Sequence, residues 1–471
     1  MSTTARPGLR APSSVEATSQ PSAVHHAAAT ETLPDRVSGS TARRWWRLAG
    51  SVALVAFAFW VTYQFAHTTT GPHHNQFDLK IYYRAVTFWI DGNNIYDYSQ
   101  PDPVNITLGF TYPPLAAVLM APMAGLSLSL LTTISVLAII ATTAWCVFVC
   151  LRERVRITRQ NGLMVVGLAT AASFLLEPIR QTMGFGQINM YLMALVLLDV
   201  LVLGRRGSRW TGIGIGLAMA IKLTPGIFLL YLLLSKQWRA TVVAICTAIA
   251  ATLLAAVVTP SATWQYYTSL LWESDRVGFL GGSANQSMNG LLARIAAPHD
   301  PSKVIWLLLV VAVAAGAGWR IRRAVQAGDR LAALTLTGLL GILVSPVSWP
   351  HHIVWVIPAG VIIAHRLIQL SNTATPDGLP LRTEVWSRLR TSGSLLLLVG
   401  LGSLAFGQDL RLALDLPDVD YSDLSVFWMC VASVQMFWCL AAVFLLPIRS
   451  GNEAAGSRRF GAEAAAPARQ N

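Results

Sequence analysis

The feature that most constrains this chain is the recurrence of apolar runs that are too long and too frequent for a water-soluble core. They lie near residues 48–67, 128–150, 161–176, 188–203, 240–258, 303–319, 331–345, 351–370, 392–406 and 424–446. A helix needs roughly 17–20 apolar residues to cross the ~30 Å hydrocarbon of a bilayer, so several runs sit at the short limit. Composition agrees. Of the 471 residues 54% are hydrophobic and 12% charged, about half the charge of an ordinary soluble domain. A soluble enzyme, a secreted module and a disordered regulator are excluded, leaving an all-α polytopic membrane protein.

The stretch 211–234 holds two half-length apolar pieces separated by Lys222, Leu223, Thr224, Pro225 and Gly226. It reads as a broken helix pair that enters and leaves on the same side. Counted as two crossings it brings the expected total to about 12 transmembrane helices, with both termini on one face. The basic residues then sort the faces. The loops at 152–159, 205–209, 236–239, 320–330 and 366–390 carry 17 Lys and Arg. The opposite loops carry seven: Lys80, Arg84, Arg180, Arg276, Arg294, Lys303 and Arg411. Both termini are therefore expected in the cytoplasm, and 113–127 must be re-entrant or interfacial. The formal charge of +12 belongs to this topology and implies no nucleic-acid partner.

Residues 1–42 and 450–471, rich in Ala and polar residues without periodicity, read as disordered cytoplasmic tails. They flank a transmembrane domain at 43–449. No short apolar segment with a small-residue cleavage site opens the chain, so no cleaved signal peptide is expected. The five cysteines lie inside apolar stretches, where neither a loop disulfide nor a CxxC metal site is expected.

Polar side chains near hydrocarbon are costly, so their placement is informative. They gather at the outward ends of the segments. The first outer loop holds His73, His74, Gln76, Asp78, Lys80 and Tyr82; the second holds Glu177, Arg180, Gln187 and Asn189. The third holds Asn285 and Gln286; the fourth holds Trp349, His351 and His352. Each has a plainer reading. Asp78 and Lys80 can be wet charges before an interfacial helix, Glu177 and Arg180 an i,i+3 pair at a helix end, and the histidines interfacial aromatics. Asp409, Asp415, Asp418, Asp420 and Asp423 read as a solvated outer loop. Lys222 is harder to dismiss: between two half-helices it requires an anion, a lipid phosphate or an exit to water.

The order of several short motifs resembles glycosyltransferase family 87, of the GT-C class. The motifs are Phe77-Asp78-Leu79-x-Ile81-Tyr82, Gly92-x-x-Ile95-Tyr96 and Phe110-Thr111-Tyr112-Pro113-Pro114. They continue with Glu177-Pro178-Ile179-Arg180, Gly186-Gln187-Ile188-Asn189, Lys222-Leu223-Thr224-Pro225, Asn285-Gln286-Ser287 and Ser345-Pro346-Val347-Ser348-Trp349-x-His351-His352. Within the family the resemblance is to actinobacterial α-(1→2) mannosyltransferases acting on phosphatidylinositol mannosides and lipomannan. It implies a GT-C bundle with an outward-facing site, a polyprenyl-phosphate-mannose donor and a glycolipid acceptor. Decaprenyl-phosphate-arabinose is the alternative donor. A lipid-sugar flippase is the alternative class, disfavoured because the motifs do not repeat between halves.

Such a transfer needs an apolar groove for the lipid, cations for its phosphate and one general base for the acceptor hydroxyl. Asp78 is the expected base. Lys222, His351, His352 and Arg180 are expected at the phosphate. Tyr82, Glu177, Gln187, Asn189, Asn285, Gln286 and Trp349 are expected to face sugar or acceptor. With no second carboxylate beside Asp78, single displacement with inversion is expected. Divalent-metal transferases usually gather several carboxylates, so neither a metal nor any other cofactor is expected.

Overall fold

The computed structural model describes residues 38–69, 75–102, 106–372, 382–407, 414 and 424–449. Most of both expected tails, His73 and His74, and the Asp409–Asp423 loop apart from Leu414 lie outside the described residues. The chain divides into two units, residues 1–50 and 51–471. The described part of the first is the opening of α1 (Ser38–Thr69).

The second unit is almost wholly helical. After α1 come α2 (Phe77–Ile90), β1 (Ser99–Asp102), β2 (Ile106–Gly109), α3 (Pro114–Met120), α4 (Leu128–Arg152), α5 (Gly162–Ser173), α6 (Glu177–Phe185) and α7 (Asn189–Leu197). These lead to α8 (Ile213–Ile221), α9 (Phe228–Leu234), α10 (Trp238–Val258), α11 (Pro260–Thr268), α12 (Met288–Ala296) and α13 (Lys303–Gln326). The chain closes with α14 (Arg330–Val344), α15 (Val356–Asn372), α16 (Arg382–Phe406), α17 (Val426–Ala432) and α18 (Val434–Leu445). Ser127, Ser287, Ser302 and Asp329 accept backbone N–H groups at the starts of α4, α12, α13 and α14, filling donors that a helix end leaves free.

Three helices, α4, α10 and α13, are long and apolar enough to span a bilayer. Only 11–33% of their most apolar stretches is buried. Val257 is 82% exposed and Val304 68%. Apolar surface on this scale is stable only against lipid or a partner, so the fold is that of a helical membrane protein.

Several expectations need correction. The runs at 161–176 and 424–446 are not straight crossings. The first bends by 81° between α5 and α6, the second by 70° between α17 and α18. The apolar stretches in the other helices run to 10–17 residues, although α1 and α16 are themselves 32 and 25 residues long; by length and composition three crossings, or five if each bent pair is one, are found among the described residues. The fold is also not strictly all-α, because β1 and β2 pair as an antiparallel hairpin. The 113–127 stretch forms α3 and a short 3₁₀ turn, which at about 1.5–2 Å per residue is too short to span alone.

The broken pair at 211–234 appears as α8 and α9, with Lys222 extended between them (φ −149°, ψ 132°). Arg239 Nη2 donates to the Ser208 carbonyl at 2.8 Å, so the chain returns to the end from which it left. Lys222 occupies the tip of this helical hairpin. α8 lies tight against α10 because Gly212 and Gly216 face the Ala240 and Ala244 carbonyls, where a Cβ would collide.

Candidate active site

Asp78 stands in the first turn of α2, where unpaired backbone amides favour a carboxylate. The start of this helix is pinned to the end of α6. The Gln76 backbone N–H donates to Gly184 O, and its side-chain amide to Met183 O, both at 2.7 Å. Gly186 ends α6 with φ 72°, and a Cβ there would sit 2.7 Å from both Gln76 Oε1 and Leu79 Cβ. Only glycine permits this turn and this approach together. The next residue, Gln187, donates from Nε2 to Asp78 Oδ2 at 2.5 Å.

The second carboxylate oxygen, Oδ1, takes no hydrogen bond from a described residue. Asp78 is half-buried. Burial pushes its carboxyl up to about 6, opposed by the Gln187 hydrogen bond and the Lys222 charge and helped slightly by Asp102. That value suits a base working near neutral pH.

Gln187 is the hub of the network. Its Oε1 accepts from Tyr112 OH at 2.9 Å, and the Tyr112 and Tyr82 hydroxyls are 2.7 Å apart. Asn189 Nδ2 donates to His351 O at 2.9 Å and more distantly to Gln187 Oε1 at 3.4 Å. Asn189 Oδ1 in turn accepts from Lys222 Nζ at 3.1 Å. Lys222 Nζ lies 3.1 Å from His352 Nε2 and 5.0 Å from the centre of the Tyr112 ring. Asp78, Tyr82, Tyr112, Gln187, Asn189, Lys222 and His352, drawn from five separate stretches of sequence, thus form one connected set.

The histidine end is informative. His352 Nδ1 accepts the Trp349 backbone N–H at 3.2 Å, so Trp349 contributes its main chain here. Burial, Lys222 and His351 together hold the His352 imidazole well below its usual pKa. A neutral ring accepting at Nδ1 carries its proton on Nε2, the atom that faces Lys222. With Lys222 Nζ 3.1 Å from that atom, an anionic oxygen placed between them could accept from both the ammonium and the Nε2–H. Beside Asn189 and His352 opens a pocket walled by Leu192, Met193, Phe228 and Trp355.

Other expected residues serve the frame. Asn285 is fully buried; Nδ2 donates to Leu280 O and Pro346 O, and Oδ1 accepts from Ser287 N and Ser348 N. Gln286 donates to Ser283 O and Ala432 O and accepts from Met436 N. These two amides were expected at the sugar; here their polar atoms are taken up by backbone groups. Glu177, also buried, accepts from Gln181 at 2.6 Å and Gln435 at 2.7 Å. Arg180 donates to the carbonyls of Leu175 and Gly407. The His351 ring meets Phe185 edge-on at 5.5 Å, and its carbonyl holds Asn189. Among the described residues none of these five places a side-chain hydrogen bond on Asp78 or Lys222.

Tyr112 is the residue that sequence reasoning missed. It stood in the Phe110–Pro114 motif, but a tyrosine before two prolines carries no signal of its own. Among the described residues no group of three or more His, Cys, Asp or Glu side chains gathers as a metal site would require.

A helical membrane protein that sets a half-buried carboxylate against a lysine–histidine pair has the parts of a lipid-linked group-transfer enzyme. Residues 110–346 match glycosyltransferase family 87. The chain is 35% identical over 333 residues to a polyprenol-phosphate-mannose-dependent α-(1-2)-phosphatidylinositol mannoside mannosyltransferase of Mycobacterium tuberculosis, covering 68% of this chain and 75% of that protein. It is 33% identical to a pentamannoside mannosyltransferase of Mycolicibacterium smegmatis, covering 71% and 79%. An α-(1->3)-arabinofuranosyltransferase of M. tuberculosis is more distant, 28% identical over 54% of this chain and 57% of its own length. Among solved structures, ArnT from Cupriavidus metallidurans in the apo state aligns at 16% identity and a TM-score of 0.35, over 90% of this chain and 79% of that one. The chain belongs to glycosyltransferase family 87, and it is a glycosyltransferase.

Proposed function

We propose that this enzyme transfers mannose from a polyprenyl-phosphate-mannose donor to a phosphatidylinositol mannoside or lipomannan acceptor. The transfer forms an α-(1→2) linkage at the outer face of the membrane, within a GT-C-type bundle whose termini are cytoplasmic. The mycobacterial mannosyltransferases named above support donor and acceptor. The observation that carries the mechanism is the single hydrogen-bonded path from Asp78 through Gln187 and Asn189 to Lys222.

Asp78 Oδ1, free of protein hydrogen bonds among the described residues, takes the proton of the acceptor hydroxyl as its oxygen attacks the anomeric carbon. The bond from that carbon to the phosphate oxygen breaks on the opposite face, and polyprenyl phosphate leaves. One displacement inverts a β-linked donor to an α product. Negative charge grows on the departing phosphate, where Lys222 Nζ and His352 Nε2–H stabilise the transition state more than the ground state. Tyr82, Gln187 and Asn189 hold the base and the clamp at fixed separation. The pocket walled by Leu192, Met193, Phe228 and Trp355 is an apolar seat for the start of the prenyl chain.

The test is donor competition with purified enzyme and a phosphatidylinositol mannoside acceptor. Label is expected to move from polyprenyl-phosphate-mannose to the glycolipid, unaffected by excess decaprenyl-phosphate-arabinose. Transfer of arabinose in its place, or donor crossing the bilayer unreacted, would overturn the assignment.

A further inference from the structure

A second site lies at the other end of α8, about 14 Å along the helix axis from Lys222. Here the loops 204–211 and 235–237 come together through the Arg239–Ser208 hydrogen bond. Arg205, Arg206, Arg209, Lys236 and Arg239 are all exposed. Arg205 pairs with Glu153 at 2.5 Å. Among the described residues no carboxylate pairs with the other four. The Arg209 guanidinium stacks over Trp210 at 4.9 Å. Trp210 and Trp238 are 54% and 61% exposed, the amphipathic side chains that favour a membrane–water boundary.

From this basic rim a groove of about 340 Å³ runs between α8 and α10. Arg209 and Trp210 form its mouth, and Ile213, Val243, Cys246, Thr247 and Ala250 its walls. It is an open depression beside the seam where Gly212 and Gly216 bring the two helix backbones together. A cationic mouth continuous with an apolar trough matches one chemistry, a phosphate carrying an acyl chain. A free phosphate would use the mouth alone, and a neutral lipid the trough alone.

We propose that the groove between α8 and α10 binds an anionic glycerophospholipid, with its phosphate at Arg209 and Arg239 and one acyl chain along Ile213, Val243, Thr247 and Ala250. The site is separate from the donor site and independent of the sugar transferred. It takes its lipid from the leaflet on the side of the basic loops, where basic pockets between helices collect anionic headgroups.

Native mass spectrometry of the purified full chain tests this, with dioleoyl-phosphatidylglycerol and dioleoyl-phosphatidylcholine supplied in parallel. One phosphatidylglycerol is expected to stay bound under conditions that strip phosphatidylcholine. The double variant Arg209→Gln/Arg239→Gln is expected to weaken its retention on the order of tenfold. Ala250→Trp, which keeps every cation and fills the trough, should weaken it comparably; it also serves if the double variant folds poorly. Glycerol 3-phosphate, a headgroup without a chain, should fail to compete. Equal retention of both lipids, full retention by Ala250→Trp, or competition by glycerol 3-phosphate would each overturn the proposal.

Discussion

Two buried polar clusters in this protein look alike in composition and differ in how they are wired. The first runs from Asp78 to His352. The second surrounds the bend between α17 and α18, where Arg294 bonds Ser433, Gln286 bonds Ala432 and Met436, and Gln435 bonds Glu177 and Ala405. At the bend the amides and the guanidinium are largely spent on main chain, with Gln435 the exception: it also donates to Glu177, and its Oε1 takes no hydrogen bond from a described residue. Arg294, fully buried, donates to Gly282 O at 2.6 Å, Asn285 O at 3.1 Å and Ser433 Oγ at 2.6 Å. Gln286 takes the Ala432 carbonyl and the Met436 N–H, groups that a 70° break leaves without helical partners. In the Asp78 cluster the bonds run mostly from side chain to side chain, and both ends stay open: a carboxylate oxygen at one and two opposed donors at the other. Buried polar groups that satisfy backbone build architecture. A path with unspent ends is where a substrate can complete it.

This contrast can be broken by experiment, beginning with the largest effect. Asp78→Asn keeps the shape and the Gln187 contact but removes the base. Mannosyl transfer per folded molecule should fall by about 10²–10⁴, and near-normal turnover would end the assignment. Lys222→Gln removes the charge meant for the departing phosphate. A loss of about 10²–10³ in kcat is expected, the scale of deleting a transition-state donor; lower expression with unchanged specific activity would make Lys222 structural.

The pH profile comes next. Because burial raises the Asp78 carboxyl to about 6, the base is ionised above that pH and protonated below it. Activity should therefore fall about tenfold per unit on the acidic side, and this limb should be absent from the residual activity of Asp78→Asn. Tyr112→Phe deletes two hydroxyl contacts while keeping the ring under Lys222. At about 0.5–1.5 kcal/mol per hydrogen bond, transfer should drop roughly tenfold. Tyr112→Leu, which also loses the ring, should fall further; equal activity of the two variants would remove the ring from the argument.

The smallest effect on chemistry belongs to the other cluster. Gln286→Leu strands backbone groups at the bend and should cost about 1–3 kcal/mol of stability, visible as a lower Tm and yield. The surviving protein should keep its specific activity within about twofold. A large fall in kcat there would erase the distinction between the two clusters.

The sequence by itself determined the class. Long apolar runs can be stable only in lipid, and the break at Lys222 was legible because Thr224-Pro225-Gly226 cannot continue a helix after a lone charge. The motif order carried the family, and Asp78, Lys222, Gln187, Asn189 and His352 were all singled out from their residue types. Tertiary structure alone decided which polar residues face one another. Asn285 and Gln286 have the same chemistry as Asn189 and Gln187, and only the packing of α12 against the 433 bend turns the first pair into braces. Likewise the bend at Ser433 and the role of Tyr112 depend on partners more than 70 residues away along the chain. A periodic apolar pattern reports how far a segment can be buried. It does not report which side chain of a distant segment will fill a given hydrogen bond, because that is set by helix packing and not by local sequence.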